Sequence, residues 1–347
     1  MLGPMQDEEP LSLVGAPGSP YSRKLRAVLR YRRIPHAWIV RGSPEARGLP
    51  APRVELLPRL VLPDAEGRPE ARIDSTPLIR ELEARHAGRR AIPPDPVIAF
   101  LDALLEDYAD EWLTKAMFHY RWAYPPDVAK AAAILPRWFE PTGSEERAVA
   151  AGESFAKRQI ERLWVVGSSE TTAATIEESY LRLLQQLDAR LTETRFVWGA
   201  RPGAADFALY GQLTQLAGFD PTPTALALEH APRVVAWVDL VEDLSGLEPD
   251  EADWPGRDTP LPETLRALFC EVGRVYAPFL LANARAVEAG AEQVECEIDG
   301  RSWRQRPFPY QARCLAALRA GREALAAEER AALDAILDGT GCESLFA

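Results

Sequence analysis

The sequence predicts a mixed α/β region over residues 11 to 87, followed by a larger and almost wholly helical region that carries one small β-hairpin. Three observations lead there. Short apolar or β-branched runs alternate with an amphipathic segment only near the start of the chain. The stretch "AGRRAIPPDPV" then places three prolines in four residues, which no helix interior accommodates, so it reads as a linker. Beyond it apolar residues recur at helical intervals, apart from "QVECEIDGRSWRQRP", where two alternating runs flank Asp299-Gly300, a strong hairpin signal.

The elements follow in order. Leu11 to Val14 reads as a buried strand that breaks on Ala-Pro-Gly-Ser-Pro, and Leu25, Val28 and Leu29 then mark a helix. Such a strand, loop and helix start aims backbone N–H groups and small hydroxyls at one spot, suited to an anion or a thiolate; Ser22 either contributes there or simply caps the helix. "HAWIVRG" is a second strand, and a proline-rich irregular crossover follows. "RLVLPDAEG", with its Asp-x-x-Gly turn, and "ARI" supply two more strands. "DSTPLIRELEARH" closes the region as a helix with Leu78, Ile79 and Leu82 on its apolar side. Helical patterns then run over 97–122, 144–164, 175–192, 202–217 and 231–244, followed by 262–289 and, after the hairpin, 309–320 and 326–337. We expect domains at 9–88, 95–250 and 251–347.

Composition narrows the functional classes. With 347 residues, 47% of them hydrophobic and 27% charged, the chain has the makeup of a soluble globular protein. A net charge of −12 disfavours a nucleic-acid partner. No apolar run approaches the ~20 residues that span a bilayer, and the acidic N-terminus "MLGPMQDEEP" does not read as a signal peptide, so a cytoplasmic protein away from membranes is expected. Cys270, Cys296, Cys314 and Cys342 form no Cys-x-x-Cys pair; reduced thiols and no metal site are expected.

Three motifs resemble the glutathione transferase superfamily: "GSPYSRKLRAVL", "LLPRLVL" and "IDSTPLIRELEARH". Their order and spacing agree with that family over about residues 11 to 245, and the remaining C-terminal extension falls outside the match. The resemblance implies a thioredoxin-like N-terminal domain joined to an all-helical one, glutathione as co-substrate, a small hydrophobic electrophile and a homodimer. It implies a cis Pro58, with the Leu57 backbone offered to the cysteinyl part of glutathione as an added strand would be. It places Ser75 and the helix N-terminus on the γ-glutamyl carboxylate and Asp74 on the ammonium.

Aligned on the first helix, Ser19 falls at the sulfur-activating position and Ser22 at that of a second cysteine in thiol-bearing members. Tyr21 is a rival donor. A serine forms no mixed disulfide, so thiol transfer is disfavoured. What a hydroxyl can do is donate to a thiolate. A charge-assisted bond is worth about 1.5–3 kcal/mol, which lowers a thiol near 8.5 by roughly one to two pKa units. Along 107–122, Tyr108, Trp112, His119 and Trp122 form a candidate electrophile wall, or else ordinary core at helical spacing. In "WGARPGAADFALYGQL" the family's capping Ser or Thr is replaced by Gly203, so Asp206 closes only half of a capping box. The leading function is glutathione transfer, and the alternative is a fold of this kind that binds or scaffolds without catalysis.

Overall fold

The computed structural model describes residues 9–347. The first eight residues of the acidic N-terminus lie outside the described residues. Strand β1 (Leu11–Gly15), helix α1 (Pro20–Tyr31), β2 (His36–Val40), β3 (Arg59–Pro63), β4 (Pro69–Ile73) and α2 (Ser75–Arg85) follow the predicted order. The sheet runs β2-β1-β3-β4, with β1 and β2 parallel and the other pairs antiparallel. This is a thioredoxin-like arrangement.

Strand alternation decides what each sheet face does. Leu13 and Leu60 are cross-strand partners and share a core with Leu25, Val28 and Leu29 of α1 and Leu78, Ile79 and Leu82 of α2. Val14 and Arg59, paired one step along, therefore point to the opposite face. The crossover 41–57 contributes no helix longer than the single 3₁₀ turn Pro44–Ala46.

The helical part comprises α3 (Pro96–Tyr108), α4 (Thr114–Ala123), α5 (Pro125–Phe139), α6 (Glu145–Ile160), α7 (Ala173–Glu193), α8 (Ala204–Leu216), α9 (Pro221–His230) and α10 (Pro232–Val241). The extension adds α11 (Glu263–Glu271), α12 (Ala277–Glu288), β5 (Val294–Ile298), β6 (Arg301–Gln305), α13 (Pro309–Glu323) and α14 (Ala327–Leu337). Two segments that read as single helices are each interrupted by a π-turn, at Ala109–Leu113 and Val272–Tyr276. One inserted residue shifts the hydrophobic phase without ending the helix, so periodicity passes over it. In the hairpin, Asp299 and Gly300 both take positive φ, 51° and 72°, as a two-residue turn of the favoured hand requires.

Helices α5 and α9 are additions to the sequence reading. Prolines punctuate both, and helix α5 holds Pro136 inside its last turn. Pro136 removes the N–H that would bond the Ala132 carbonyl. At that carbonyl α6 makes its closest approach: a Cβ on Gly152 would lie 2.2 Å from the Ala132 oxygen, so only glycine fits. The half-box at α8 is also completed from elsewhere. Asp206 accepts from the Gly203 N–H at 2.9 Å, while Asp102 of α3 accepts from the Ala204 and Ala205 N–H groups at 3.1 Å each. A Cβ on Gly203 would sit 2.4 Å from the Asp102 carboxylate. Glycine thus admits a cap from another helix. Most buried apolar residues, from Leu13 to Leu345, form one contiguous cluster, so the extension shares the core of the rest.

Candidate active site

The register fixes where the motif residues meet. Val14, next to last in β1, pairs with Arg59, the first residue of β3, and Arg59 pairs with Ile73, the last of β4. The β1–α1 loop, the Leu57-Pro58 bond and the Asp74-Ser75 turn therefore share one end of the sheet.

Ser19 is the N-cap of α1. Its extended backbone (φ −100°, ψ 113°) lets Oγ accept from the Ser22 N–H at 3.3 Å, and Pro20 at the next position has no N–H to satisfy. The Ser19 hydroxyl proton finds no acceptor among the described residues, and the side chain is half-buried. The loop before it is held through its carbonyls: Arg23 Nε donates to Pro17 at 3.0 Å and Arg121 to Gly18 at 3.3 Å. Leu135 and Trp138 of α5 close over Gly18, where a Cβ would come within 2.8 Å of both.

The other two serine-loop candidates face inward. Ser22 is fully buried, and its Oγ accepts from the Ala16 N–H at 3.4 Å, tying the helix to the loop. Tyr21 donates its hydroxyl to the Asp110 carbonyl in the first π-turn at 2.8 Å, and burial raises its pKa well above the ordinary value. Its donor is committed to the helical domain.

At the second motif the Leu57-Pro58 bond is cis. Neither the N–H nor the C=O of Leu57 has a backbone partner among the described residues, which leaves a donor and acceptor pair of the kind an added strand uses. At the third, Asp74 takes φ 77° and caps α2 through the Thr76 N–H at 3.3 Å. Its second oxygen accepts from the Tyr310 hydroxyl at 2.8 Å. Ser75 is buried, and its hydroxyl bonds to no described residue. Tyr310 belongs to α13, 236 positions away, and no local pattern in the sequence announces the contact.

Beneath this end lies a buried ion network. Lys24 Nζ sits 2.6 Å from Glu106 and also contacts Asp110, and Arg80 reaches Glu106 at 2.7 Å. Burial alone would raise Glu106, but Arg80 and Lys24 outweigh it and hold its carboxyl near 2. Thr76 donates to Glu106 at 3.2 Å, linking the network to the turn that carries Asp74.

The candidate electrophile wall does not converge. Trp112 donates to Ser179 at 3.0 Å and packs on Trp303 of the hairpin, with ring centroids 5.2 Å apart; Tyr108 packs edge-on against Tyr276. Trp122 belongs to a separate apolar cluster with Leu135, Ala156 and Phe219. His119 is buried between Ser168 (2.7 Å from Nδ1) and Glu177 (3.0 Å from Nε2). These side chains serve as core: the extension covers Tyr108 and Trp112, while Trp122 packs against α5 and α6 and His119 is held from Ser168 and α7. Among the described residues no group of three or more His, Cys, Asp or Glu could hold a metal ion.

Comparison with protein families gives two matches: the glutathione S-transferase N-terminal domain over residues 13–90 and the glutathione S-transferase C-terminal domain over residues 145–244. The chain belongs to the glutathione transferase superfamily. No curated protein sequence matches it significantly. Similar solved structures include a glutathione S-transferase from Methylobacterium radiotolerans in complex with glutathione sulfonate (21% identity, 73% of this chain and 98% of that one, TM-score 0.39). Others are a Tau class glutathione S-transferase from mango (15%, 70% and 94%, TM-score 0.41) and FzlA from C. crescentus (16%, 75% and 92%, TM-score 0.40). Within this transferase superfamily chain, the first matched region carries the sheet-end site, while His119 and Trp122 fall between the two matches and the extension that supplies Tyr310 lies outside both. The four cysteines are free thiols, and no described helix is long and apolar enough to cross a membrane.

Proposed function

We propose that this chain binds glutathione at the sheet end and activates its thiol for attack on a small hydrophobic electrophile, with Ser19 donating a hydrogen bond to the sulfur. The observation that carries the reading is the state of Ser19: its oxygen is used in capping α1 while its proton is unclaimed, on the same end of the sheet as the open Leu57 backbone and Ser75. The Leu57 N–H and C=O would pair with the cysteinyl residue, and Ser75 with the α2 N-terminus would receive the γ-glutamyl carboxylate. Asp74, whose charge Tyr310 already supports, would face the ammonium. A thiolate held by one hydroxyl is anionic at neutral pH and attacks carbon directly, with no covalent enzyme intermediate.

Calorimetric titration of glutathione, followed by conjugation to an activated haloarene, tests the proposal. Saturable binding together with conjugation that collapses in Ser19→Ala supports it. Unchanged turnover in that variant removes Ser19 from the mechanism. A second reading, a protein that binds glutathione without catalysis, is favoured by the fate of the aromatic wall, since Tyr108, Trp112 and Trp122 are all buried in packing. Retention on immobilised glutathione without turnover on haloarenes, epoxides or disulfides would decide for it. Assembly as a homodimer, as the family resemblance implies, and the cytoplasmic location expected from the sequence belong to the same proposal and are read by sedimentation and fractionation.

A further inference from the structure

The loop that carries Ser19 has a soft point and a brace from outside. Gly18 precedes the serine, and glycine is required there because a Cβ would come within 2.8 Å of both Leu135 and Trp138. A residue without Cβ leaves its own φ and ψ loosely confined, so rotation about Gly18 would swing the Ser19 hydroxyl. Within the loop the Ser19 N–H donates to the Ala16 carbonyl at 3.0 Å. The Pro17 and Gly18 carbonyls are bonded from beyond it.

Arg121, in the last turn of α4, is the centre of that brace. It is buried, and each nitrogen of its guanidinium is used: Nη1 donates to the Gly18 carbonyl at 3.3 Å, Nε to Asp220 at 2.9 Å, and Nη2 to Asp220 and to Gln215 Oε1 at 2.8 Å each. Gln215 of α8 passes the constraint on, since its Nε2 donates to the Pro17 carbonyl at 3.3 Å, where Arg23 also donates. Asp220 stands at the N-cap of α9, where a carboxylate ordinarily accepts from the helix's own first turn. It makes no such bond. Asp127 of α5 takes over that task, accepting from the Thr222 N–H at 3.0 Å, and Asp220 is left wholly to Arg121.

We infer that Arg121 is a positioning residue for Ser19: held by Asp220, it fixes the Gly18 peptide group and with it the direction of the serine hydroxyl. The inference rests on the proposed role of Ser19 and adds what holds that residue in place. The guanidinium charge is matched by Asp220, so Arg121 acts by geometry, through the Gly18 carbonyl. Hydrogen bonds weaken steeply as their angle closes, and a loop left to turn would lose the bond to sulfur with Ser19 still present. The planar fork of arginine, which serves Asp220, Gln215 and Gly18 together, has no equivalent in lysine.

The test follows the ultraviolet absorption of the thiolate of bound glutathione against pH, on the full chain with saturating glutathione, in Arg121→Lys, Ser19→Ala and the double variant. Arg121→Lys is expected to raise the pKa of the bound thiol by about half a unit to one unit and to lower haloarene conjugation at pH 7 about threefold to tenfold. Glutathione affinity should change by less than about twofold, since the substitution removes no group that would touch the tripeptide. In the Ser19→Ala background the same substitution should change the thiol pKa and turnover by less than about twofold, because no hydroxyl is left to aim. Because Arg121→Lys alters a buried ion pair, Gln215→Leu provides a second reading: a smaller rise of the thiol pKa with the Arg121–Asp220 pair intact. An unchanged thiol pKa in both variants overturns the inference. An effect of Arg121→Lys as large in Ser19→Ala as in the wild type also overturns it, since Arg121 would then serve the fold alone. Failure of the underlying reading has a different signature: Ser19→Ala itself leaves the thiol pKa unchanged, or glutathione does not bind, and the positioning role falls with it.

Discussion

The sheet end and the seam where the extension docks are made of opposite materials. Ser19, Leu57 and Ser75 offer hydroxyls and backbone groups, placed by a strand end and two helix starts and carrying no charge of their own. The seam is charged and wholly enclosed. Lys115 is buried with its ammonium 4.0 Å from the Phe279 ring centroid, donating to Gln305 at 3.0 Å and to the Val166 carbonyl at 3.3 Å. Glu111 accepts from Gln311 at 3.0 Å and Asp107 from Tyr276 at 2.7 Å. The first region is arranged to leave valences open; the second closes nearly every one. Open valences at a fixed place favour a ligand, whereas closed ones favour a permanent internal interface.

If the seam is part of the core, the largest stability loss lies there. Trp303 is 1% exposed and packs against both Trp112 and Phe279, so Trp303→Ala is expected to cost about 3–5 kcal/mol in chemical denaturation. A loss below about 1 kcal/mol would mean that the hairpin is an appendage, and the contrast between the regions would fail.

At the sheet end the large effect is kinetic. Ser19→Ala should lower haloarene conjugation about tenfold at pH 7, because the thiol loses one to two units of pKa depression. The cost in stability should be about 1 kcal/mol, for the lost cap. The kinetic deficit has a pH signature: it shrinks as the pH approaches 9, where the unassisted thiol ionises by itself. A deficit constant from pH 6 to 9 would assign Ser19 to folding alone.

The two regions also differ in what sequence reveals. Ser19, Leu57, Pro58, Asp74 and Ser75 were singled out through three short motifs that resemble one family, and each lies within two residues of a strand end or helix start. The order of strands and helices was legible from local periodicity. The seam was not: Lys115 meets Gln305 across 190 positions and Asp74 meets Tyr310 across 236. Tyr108 and Trp112 show the converse, since spacing gave them a common face and could not say that the extension covers it, and Trp122 packs instead against α5 and α6. Gly203 lies between these cases. The missing half of its box was visible, but the acceptor that completes it, Asp102, is about a hundred positions upstream.

Titration separates the regions further. Burial, reinforced by the charges of Asp107 and Asp110, raises Glu111 to about 8; burial raises Asp102 to about 8, Asp206 to about 7 and Asp107 to about 6. A group whose folded pKa is raised stabilises the fold fully below its unfolded pKa and loses that contribution as pH climbs through the folded value. The melting temperature should therefore fall between pH 5 and 7. Lys115 acts in another window: burial lowers it to about 7, so its cost to the fold is felt as pH falls from its unfolded value toward 7 and is constant below that. In Glu111→Gln the decline between pH 5 and 7 should be shallower, measured by scanning calorimetry. An identical slope would place the loss of stability with rising pH outside the seam.

The smallest effect joins the two regions. Tyr310 is the extension's contact with the sheet end, and its hydroxyl lies 2.8 Å from the Asp74 oxygen that the α2 cap does not use. Burial and the Asp74 charge both raise the Tyr310 pKa, so the phenol stays protonated and remains a donor through the physiological range. Removing that donor in Tyr310→Phe leaves the ring packing and deletes one charge-assisted bond, worth about 1.5–3 kcal/mol to the carboxylate when no water replaces it and less when water enters. Asp74 keeps its Thr76 bond, so its orientation loosens but its place is held. Glutathione affinity should then fall only about threefold to fivefold, with turnover at saturation unchanged, because Asp74 would touch the ammonium and never the sulfur. A fall in saturated turnover equal to that of Ser19→Ala would instead make the extension part of the thiol-activating machinery, and the division between an open site and a closed seam would no longer hold.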